Sequence, residues 1–275
     1  MSAYGLGIPV FRGVVTGNYV YWSSADPVPA GVTNVVRMQN GIPGITSPYD
    51  VPDLIMWYRS DYGVVLTGSN KVHIWRDLSG NQFHAEQGTD ANRPLFTASY
   101  VSMSNKPVLD FISTGPQELT ASHDVRQSPR QQTMFVAGEI KTDFAGFNTF
   151  FSKADNSSWL TGWSMGSKTG GGNMGIWCQS WNNFFEKAYT KPTQIIAVGI
   201  NGITGSYRSN RVLRGTYATG AYLPATGHVK IGSAAGDYGC NGLISEIIMY
   251  GRALTDTEVL ALENYLVSRY GQGGQ

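Results

Sequence analysis

Short apolar runs, broken every few residues by turn formers, constrain this chain most. Asp53–Asp61, Val72–Trp75, Val108–Ile112, Thr133–Ile140, Thr149–Lys153, Gln194–Ile200, His228–Gly232 and Leu243–Met249 are rich in β-branched and aromatic residues and have strand length. Gly162–Gly166 and Met174–Gln179 flank a Gly170-Gly171-Gly172-Asn173 turn, and Gly205–Tyr207 and Val212–Arg214 flank Ser209-Asn210. Both read as hairpins. Gln117–Arg130 reads as a polar connection. About a dozen short strands with regular turns predict two stacked antiparallel sheets. Gly is abundant at 34 residues and charge low at 14%, which suits tight turns and not helices or disorder. A chain of 275 residues can bury a sandwich core without disulfides. Its two cysteines, Cys178 and Cys240, read as free buried thiols.

The C-terminal stretch is the most sharply specified. Leu243, Ile244, Ile247, Ile248 and Met249 form an apolar strand between glycines. Thr255-Asp256-Thr257-Glu258 then writes a capping box, in which side chain and backbone satisfy each other's free donors. Leu254 and Val259 are spaced for a hydrophobic staple across that cap. Val259, Leu262 and Leu266 share one helical face, and Gly271 is a natural stop.

Three blocks in order carry a family resemblance. "LIMWYRSD" with "VHIWRDLSGNQFHAEQGTDANRPLF", then "KPVLDFISTGPQELTA", then "NGLISEIIMYGRALTDTEVLALENYLVSRYG" resemble the laminin-G-like, concanavalin A-like jelly rolls. The resemblance spans about 53–271. It implies an all-β concanavalin A-like antiparallel sandwich with a short C-terminal helix, of a kind found in tailed-bacteriophage virion proteins. That fold serves lectins, hydrolases, adhesion modules and virus particles alike, so function must come from the site.

Residues 1–50 differ in character and read as an N-terminal arm before a jelly-roll domain over 51–275. Only Arg12, Asp26, Arg37 and Asp50 are charged there, while "DPVPAG" and "NGIPGITSP" break the chain. "NYVYW" and "NVVRM" are candidate short strands. Tyr4, Phe11, Tyr19, Tyr21 and Trp22 make the segment too aromatic for a solvated linker. Two readings stand. The strands lie on the jelly roll, or the arm docks on another protein by strand addition and aromatic burial.

Catalysis finds little support. Glycan hydrolases of this resemblance carry E-x-D-x-x-E on one strand, which sets an acid and a nucleophile or base about 5–9 Å apart. No such triplet occurs, Glu246 has no acidic partner two residues away, and Glu258 belongs to the helix cap. His73, His84, His123 and His228 are isolated, without zinc spacing. The one G-x-S-x-G match, Gly162-Trp163-Ser164-Met165-Gly166, falls within a predicted strand and not at a strand-to-helix turn, so it is no nucleophile elbow, and Gly170–Gly172 precedes no phosphate-binding Lys-Ser/Thr.

Calcium is the one candidate cation. Asp77, Ser79 and Asn81 place oxygens at alternate loop positions, as a hard cation requires. In the resembled family an acidic residue heading the last strand helps such a loop. Here Ser245 takes that place, and Glu246 would point to the other face. The favoured reading is that Asp77 and Asn81 hydrogen-bond the turn.

The best candidate for ligand contact is aromatic. Trp159, Trp163, Trp177 and Trp181 crowd into 157–185 beside Asn182, Asn183 and Phe184. Trp163 and Trp177 fall within predicted strands and read as core. Trp159 and Trp181, with Asn182 and Asn183, form the expected carbohydrate site. The net charge of +1 lacks the basic footprint of a nucleic-acid binder. Met1–Val10 lacks a signal-peptide pattern, and no apolar run is long enough to span a membrane.

These features predict a non-enzymatic bacteriophage virion protein: a capsid decoration, head fibre or tail component made in the host cytoplasm. Its arm would bind other virion proteins, with homo-oligomerisation compatible, and its lectin-like domain would touch host-surface glycans. The alternative is a carbohydrate-binding module of a bacterial secreted protein, and behind it a glycoside hydrolase.

Overall fold

The computed structural model describes residues 45–112, 117–127, 130–141, 147–155, 161–168, 173–178, 187–188, 194–202, 204–218, 224–234 and 239–271, and four short strands before them. Those four are β1 (Val15–Thr16), β2 (Tyr19–Trp22), β3 (Val35–Gln39) and β4 (Ile42–Pro43). Next come β5 (Leu54–Arg59), β6 (Val64–Leu66), β7 (Val72–Trp75), β8 (Ala85–Glu86), β9 (Leu95–Tyr100), β10 (Lys106–Phe111) and β11 (Leu119–Ala121). The long strands β12 (Gln131–Ile140), β13 (Phe147–Lys153), β14 (Trp163–Lys168) and β15 (Asn173–Cys178) follow. The chain ends with β16 (Lys187–Ala188), β17 (Gln194–Asn201), β18 (Thr204–Ser209), β19 (Val212–Ala218), β20 (Val229–Ile231), β21 (Gly242–Tyr250) and the helix α1 (Asp256–Tyr270).

Two antiparallel sheets face each other. One runs β19-β18-β17-β12-β21-β10-β9, with β5 also paired to β21. The other runs β16-β15-β14-β13-β20-β11-β8-β7-β6. Strand alternation explains the layering. In β12, Met134 and Val136 enter the core between the sheets, while Phe135 and Ala137 face the helix. The inter-sheet core holds Trp75, Phe111, Phe150, Phe151 and Trp163, with the Phe151 and Trp163 rings edge to face at 4.8 Å. Gly138 sits at a bulge where a Cβ would meet the Leu243 carbonyl at 2.8 Å.

The strand β21 is the spine. All nine of its residues are buried. It pairs with β12 along its length, with β10 at its start and with β5 at its end. The shift in its register against β12 spans Ser245 and puts Glu246 on the helix side. There the carboxylate accepts from Trp57 Nε1 at 2.7 Å, Tyr270 OH at 2.7 Å and Tyr265 OH at 3.0 Å.

The helix closes the outer face of this first sheet. Its capping box forms as predicted: Thr255 Oγ1 accepts from Glu258 N at 3.3 Å, and Glu258 Oε2 accepts from Thr255 N at 2.9 Å. Val259, Leu262, Leu266 and Tyr270 bury against Phe135, Ile195, Ile248 and Tyr250. Gly271 ends the helix at φ +74°.

The region read as a polar connection differs from that expectation. It contains β11, whose Leu119 and Ala121 are core, and a fully buried Gln127. Three residues are too few to show a period. The strands β1 to β4 hydrogen-bond with one another and not, among the described residues, with either large sheet. β4 also lies against α1, and residues 45–50 bind the sandwich directly. Pro48 is buried and its carbonyl accepts from Tyr250 OH at 2.9 Å, and Tyr49 packs edge to face on Trp57.

Candidate binding groove

The helix covers the first sheet, which leaves the outer face of the second for a ligand. Register defines that face. Ile74, Glu86, Thr120, Lys230, Ser152 and Ser164 lie directly opposite one another across six strands. Directly opposed residues share a face. The next row, Trp75, Ala85, Ala121, Val229, Lys153 and Trp163, points into the sandwich, and all six are buried.

A groove of about 350 Å³ lies on the outer face, lined by Gln82, His84, Glu86, Thr120, Ser122 and His228. Its histidine tautomers follow from their partners. Asp77 N–H lies 3.1 Å from His84 Nδ1, and a backbone amide can only donate, so Nδ1 accepts and Nε2 carries the proton. His228 Nδ1 lies 3.2 Å from the Ala121 carbonyl, which can only accept, so here Nδ1 donates, and in the neutral ring Nε2 accepts. The groove thus offers one imidazole donor, one imidazole acceptor, the Glu86 carboxylate, the Gln82 amide and two hydroxyls. Beside it Lys230 Nζ binds Glu118 Oε2 at 3.0 Å.

The loop of Asp77 and Asn81 leads into the groove residues Gln82 and His84. Asp77 Oδ1 accepts from Trp57 N at 3.0 Å and Ser79 N at 2.9 Å, and Oδ2 accepts from Ser79 Oγ at 2.7 Å and Phe83 N at 3.0 Å. Asn81 Nδ2 donates to the Leu54 carbonyl at 3.1 Å and the Ile55 carbonyl at 3.0 Å. Four donors saturate the carboxylate, and the amide turns its N–H groups to backbone carbonyls. These residues hold the turn, and a calcium ion would have to displace those bonds. Among the described residues no group of three or more His, Cys, Asp or Glu is placed to hold a metal. Asn81 Oδ1 also accepts from Arg126 Nη1 at 2.9 Å, which ties this loop to the β11–β12 connection. Ser245, at the place expected of an acidic helper, bonds the Pro107 carbonyl.

Trp159, Trp181, Asn182 and Asn183 lie outside the described residues, as do Tyr4 and Phe11. Tyr19, Tyr21 and Trp22 fall in β2, which pairs antiparallel with β1 and parallel with β3. Trp163 is core, as its strand position requires, and Nε1 donates to the Gln127 carbonyl at 3.2 Å. Cys240 is a buried free thiol, and burial pushes its pKa up. The sequence reading passed over the groove histidines as isolated residues. A signal was present: buried Phe83 and Ala85 alternate with half-exposed His84 and exposed Gln82 and Glu86.

The fold, a two-sheet antiparallel β-sandwich, recurs in solved structures. Domain 4 of AbnA, a GH43 extracellular arabinanase from Geobacillus stearothermophilus solved with arabinotriose, superposes with a TM-score of 0.57 at 17% identity, covering 77% of this chain and 98% of that one. The binding domain of botulinum neurotoxin serotype D/C gives 0.59 at 13% identity, covering 82% of this chain and 56% of that one. Trypanosoma rangeli sialidase in complex with the inhibitor DANA gives 0.53 at 12% identity, covering 76% of this chain and 32% of that one. The chain therefore spans nearly all of the arabinanase domain but only about half of the toxin domain and a third of the sialidase. No protein-family model matches the chain, nor does any curated protein sequence.

Proposed function

We propose that the sandwich is a non-catalytic carbohydrate-binding domain, and that the groove takes the hydroxyl edge of a neutral glycan. The groove's mixed donors and acceptors carry this reading. A sugar hydroxyl both donates and accepts, so it needs both kinds of partner side by side. A purely anionic ligand would meet the Glu86 carboxylate. The arabinanase domain solved with arabinotriose shares this fold, which supports the class of ligand. Glycoside hydrolysis needs two free carboxylates. Here Glu86 lines the groove, while Glu118 is held by Lys230.

A glycan array followed by calorimetric titration tests this. Glu86→Ala and His228→Ala are each expected to weaken the bound sugar by roughly tenfold, the cost of one lost polar contact. Both residues are exposed, so the melting temperature should hold. Trp159→Ala and Trp181→Ala address the aromatic loops. If those two abolish binding and the groove variants bind normally, the site lies in the loops. If no sugar binds, the lectin reading falls.

The virion setting is the second reading. It is favoured by the separate pairing of β1 to β4, which adds no strand to either large sheet while β4 lies against α1. In that setting the arm joins a particle and the groove faces outward to host glycans.

A further inference from the structure

Lys153 is out of place. It ends β13 in the core-facing row, between Val229 and Trp163, and is fully buried. Burying an ammonium is costly unless its donors are met. Here all three are. Nζ donates to the Gly227 carbonyl at 2.6 Å, to His123 Nδ1 at 2.8 Å and to Gln127 Oε1 at 3.3 Å.

Those acceptors belong to the segments that carry two groove residues. His123 follows Ser122, and Gly227 precedes His228. The end of β13 holds Gly227 from both sides. Asp155 Oδ1 accepts from Gly227 N at 2.6 Å and Thr226 N at 2.7 Å, while Lys153 takes the Gly227 carbonyl. Contact is too close for a side chain, since a Cβ on Gly227 would sit 2.9 Å from the Ala154 carbonyl oxygen.

We propose that Lys153 is a positioning residue for the groove: its ammonium ties the β11–β12 connection to the lead-in of β20, and so fixes Ser122 and His228. This rests on the groove being the binding site. A neutral amine has two N–H groups for three acceptors, so loss of the proton releases one tie. Four groups face this ammonium or flank it. His123 and Asp124 lie on the β11–β12 connection, Asp155 closes β13, and His228 follows Gly227. Burial pushes the Lys153 pKa down to about 8, opposed by the charges of Asp155 and Asp124. The tie therefore loosens through that pH.

Global stability moves the other way. The folded chain releases this proton near pH 8, while the unfolded chain keeps it to the ordinary lysine value of 10.5. Across that window the unfolded state binds more protons, so the Lys153 contribution to stability rises with pH. A groove that loosens while the fold tightens is a signature that general alkaline unfolding does not give.

The test is amide hydrogen exchange on the full chain from pH 6.5 to 9.5, read as protection factors, beside sugar affinity. Wild type should lose about tenfold protection in 122–127 and 225–228 above pH 8, the value of one lost hydrogen bond. Lys153→Met should show that low protection at every pH with an unchanged melting temperature, since an apolar side chain suits the core row. Lys153→Arg, always charged, should abolish the pH step. Met-variant protection equal to wild type, or a step that persists in Lys153→Arg, overturns the proposal. Exchange needs no ligand, so a chain that binds no sugar but shows the step sinks the groove's function and leaves the tie standing.

Discussion

Removing the Glu246 carboxylate should cost more than almost any other single change. Its two oxygens accept from Trp57 Nε1, Tyr265 OH and Tyr270 OH, with Arg269 Nε 3.4 Å away. Trp57 comes from β5 and the other three from α1, and Glu246 is fully buried. Burial pushes its carboxyl pKa up, and the Tyr270, Trp57 and Arg269 contacts pull it back. Glu246→Ala leaves three buried donors and part of a guanidinium without an acceptor. Each orphaned donor costs about 1–3 kcal/mol, and breaking a buried ionic cluster typically costs about 3–5 kcal/mol in all. We expect about 4 kcal/mol on that basis, a large share of the stability of a domain. Glu246→Gln keeps one accepting oxygen and should cost about 1–2 kcal/mol, because charge-assisted bonds are roughly twice as strong as neutral ones. Urea unfolding at pH 7 with a common slope reads both values. The Glu246→Ala/Tyr270→Phe double variant should show coupling of about 1 kcal/mol or more. A loss below 1 kcal/mol for Glu246→Ala, or a Gln variant worse than the Ala variant, would refute the argument.

Two further outcomes are expected. A chain begun at Ile45 keeps Pro48, Tyr49 and the Ser47–Asp50 cap on the sandwich and should be a folded monomer by light scattering, with the full chain larger if the arm assembles. Two monomers of equal stability would remove the assembly role from the arm. Chelation should leave the melting temperature unchanged, since Asp77 is already bonded by four donors; a fall that calcium reverses would reinstate a cation at that loop.

The fold was readable where local chemistry and burial agree. Gln194–Ile200 has no polar break and becomes β17, flanked on both sides by long strands. The hairpin expected around Ser209-Asn210 forms one residue later: Ser209 pairs with Val212, and Asn210 and Arg211 take φ of +48° and +67°, the twist a two-residue turn needs. The Thr255–Glu258 cap was legible because both partners lie within one turn. The bulge at Ser245 was not. Nothing local marks it, and strict alternation from the core-facing Ile244 would turn Glu246 inward; the extra residue brings it instead to the helix side and its partners there. Those partners, Trp57, Tyr265 and Tyr270, come from a strand and a helix that meet only after packing.

The tryptophan cluster and the groove become visible at different stages. Aromatic crowding is a property of one stretch of chain, so it is visible before folding. The groove is a property of register: Glu86 stands opposite Thr120, and Thr120 opposite Lys230, because β8, β11 and β20 pair in that frame. A one-residue slip of β11 would turn Thr120 into the core and Leu119 and Ala121 out. What fixes the frame is the inner row, since only one register buries Trp75, Ala85, Ala121 and Val229 together. The polar face is thus specified by the apolar one. Lys153 is the informative exception, because it spends an inward position on a charge. A chain selected only to close its core would place an apolar side chain there. That lysine couples the inner row to the groove walls, and it is where a function on the outer face leaves its mark inside.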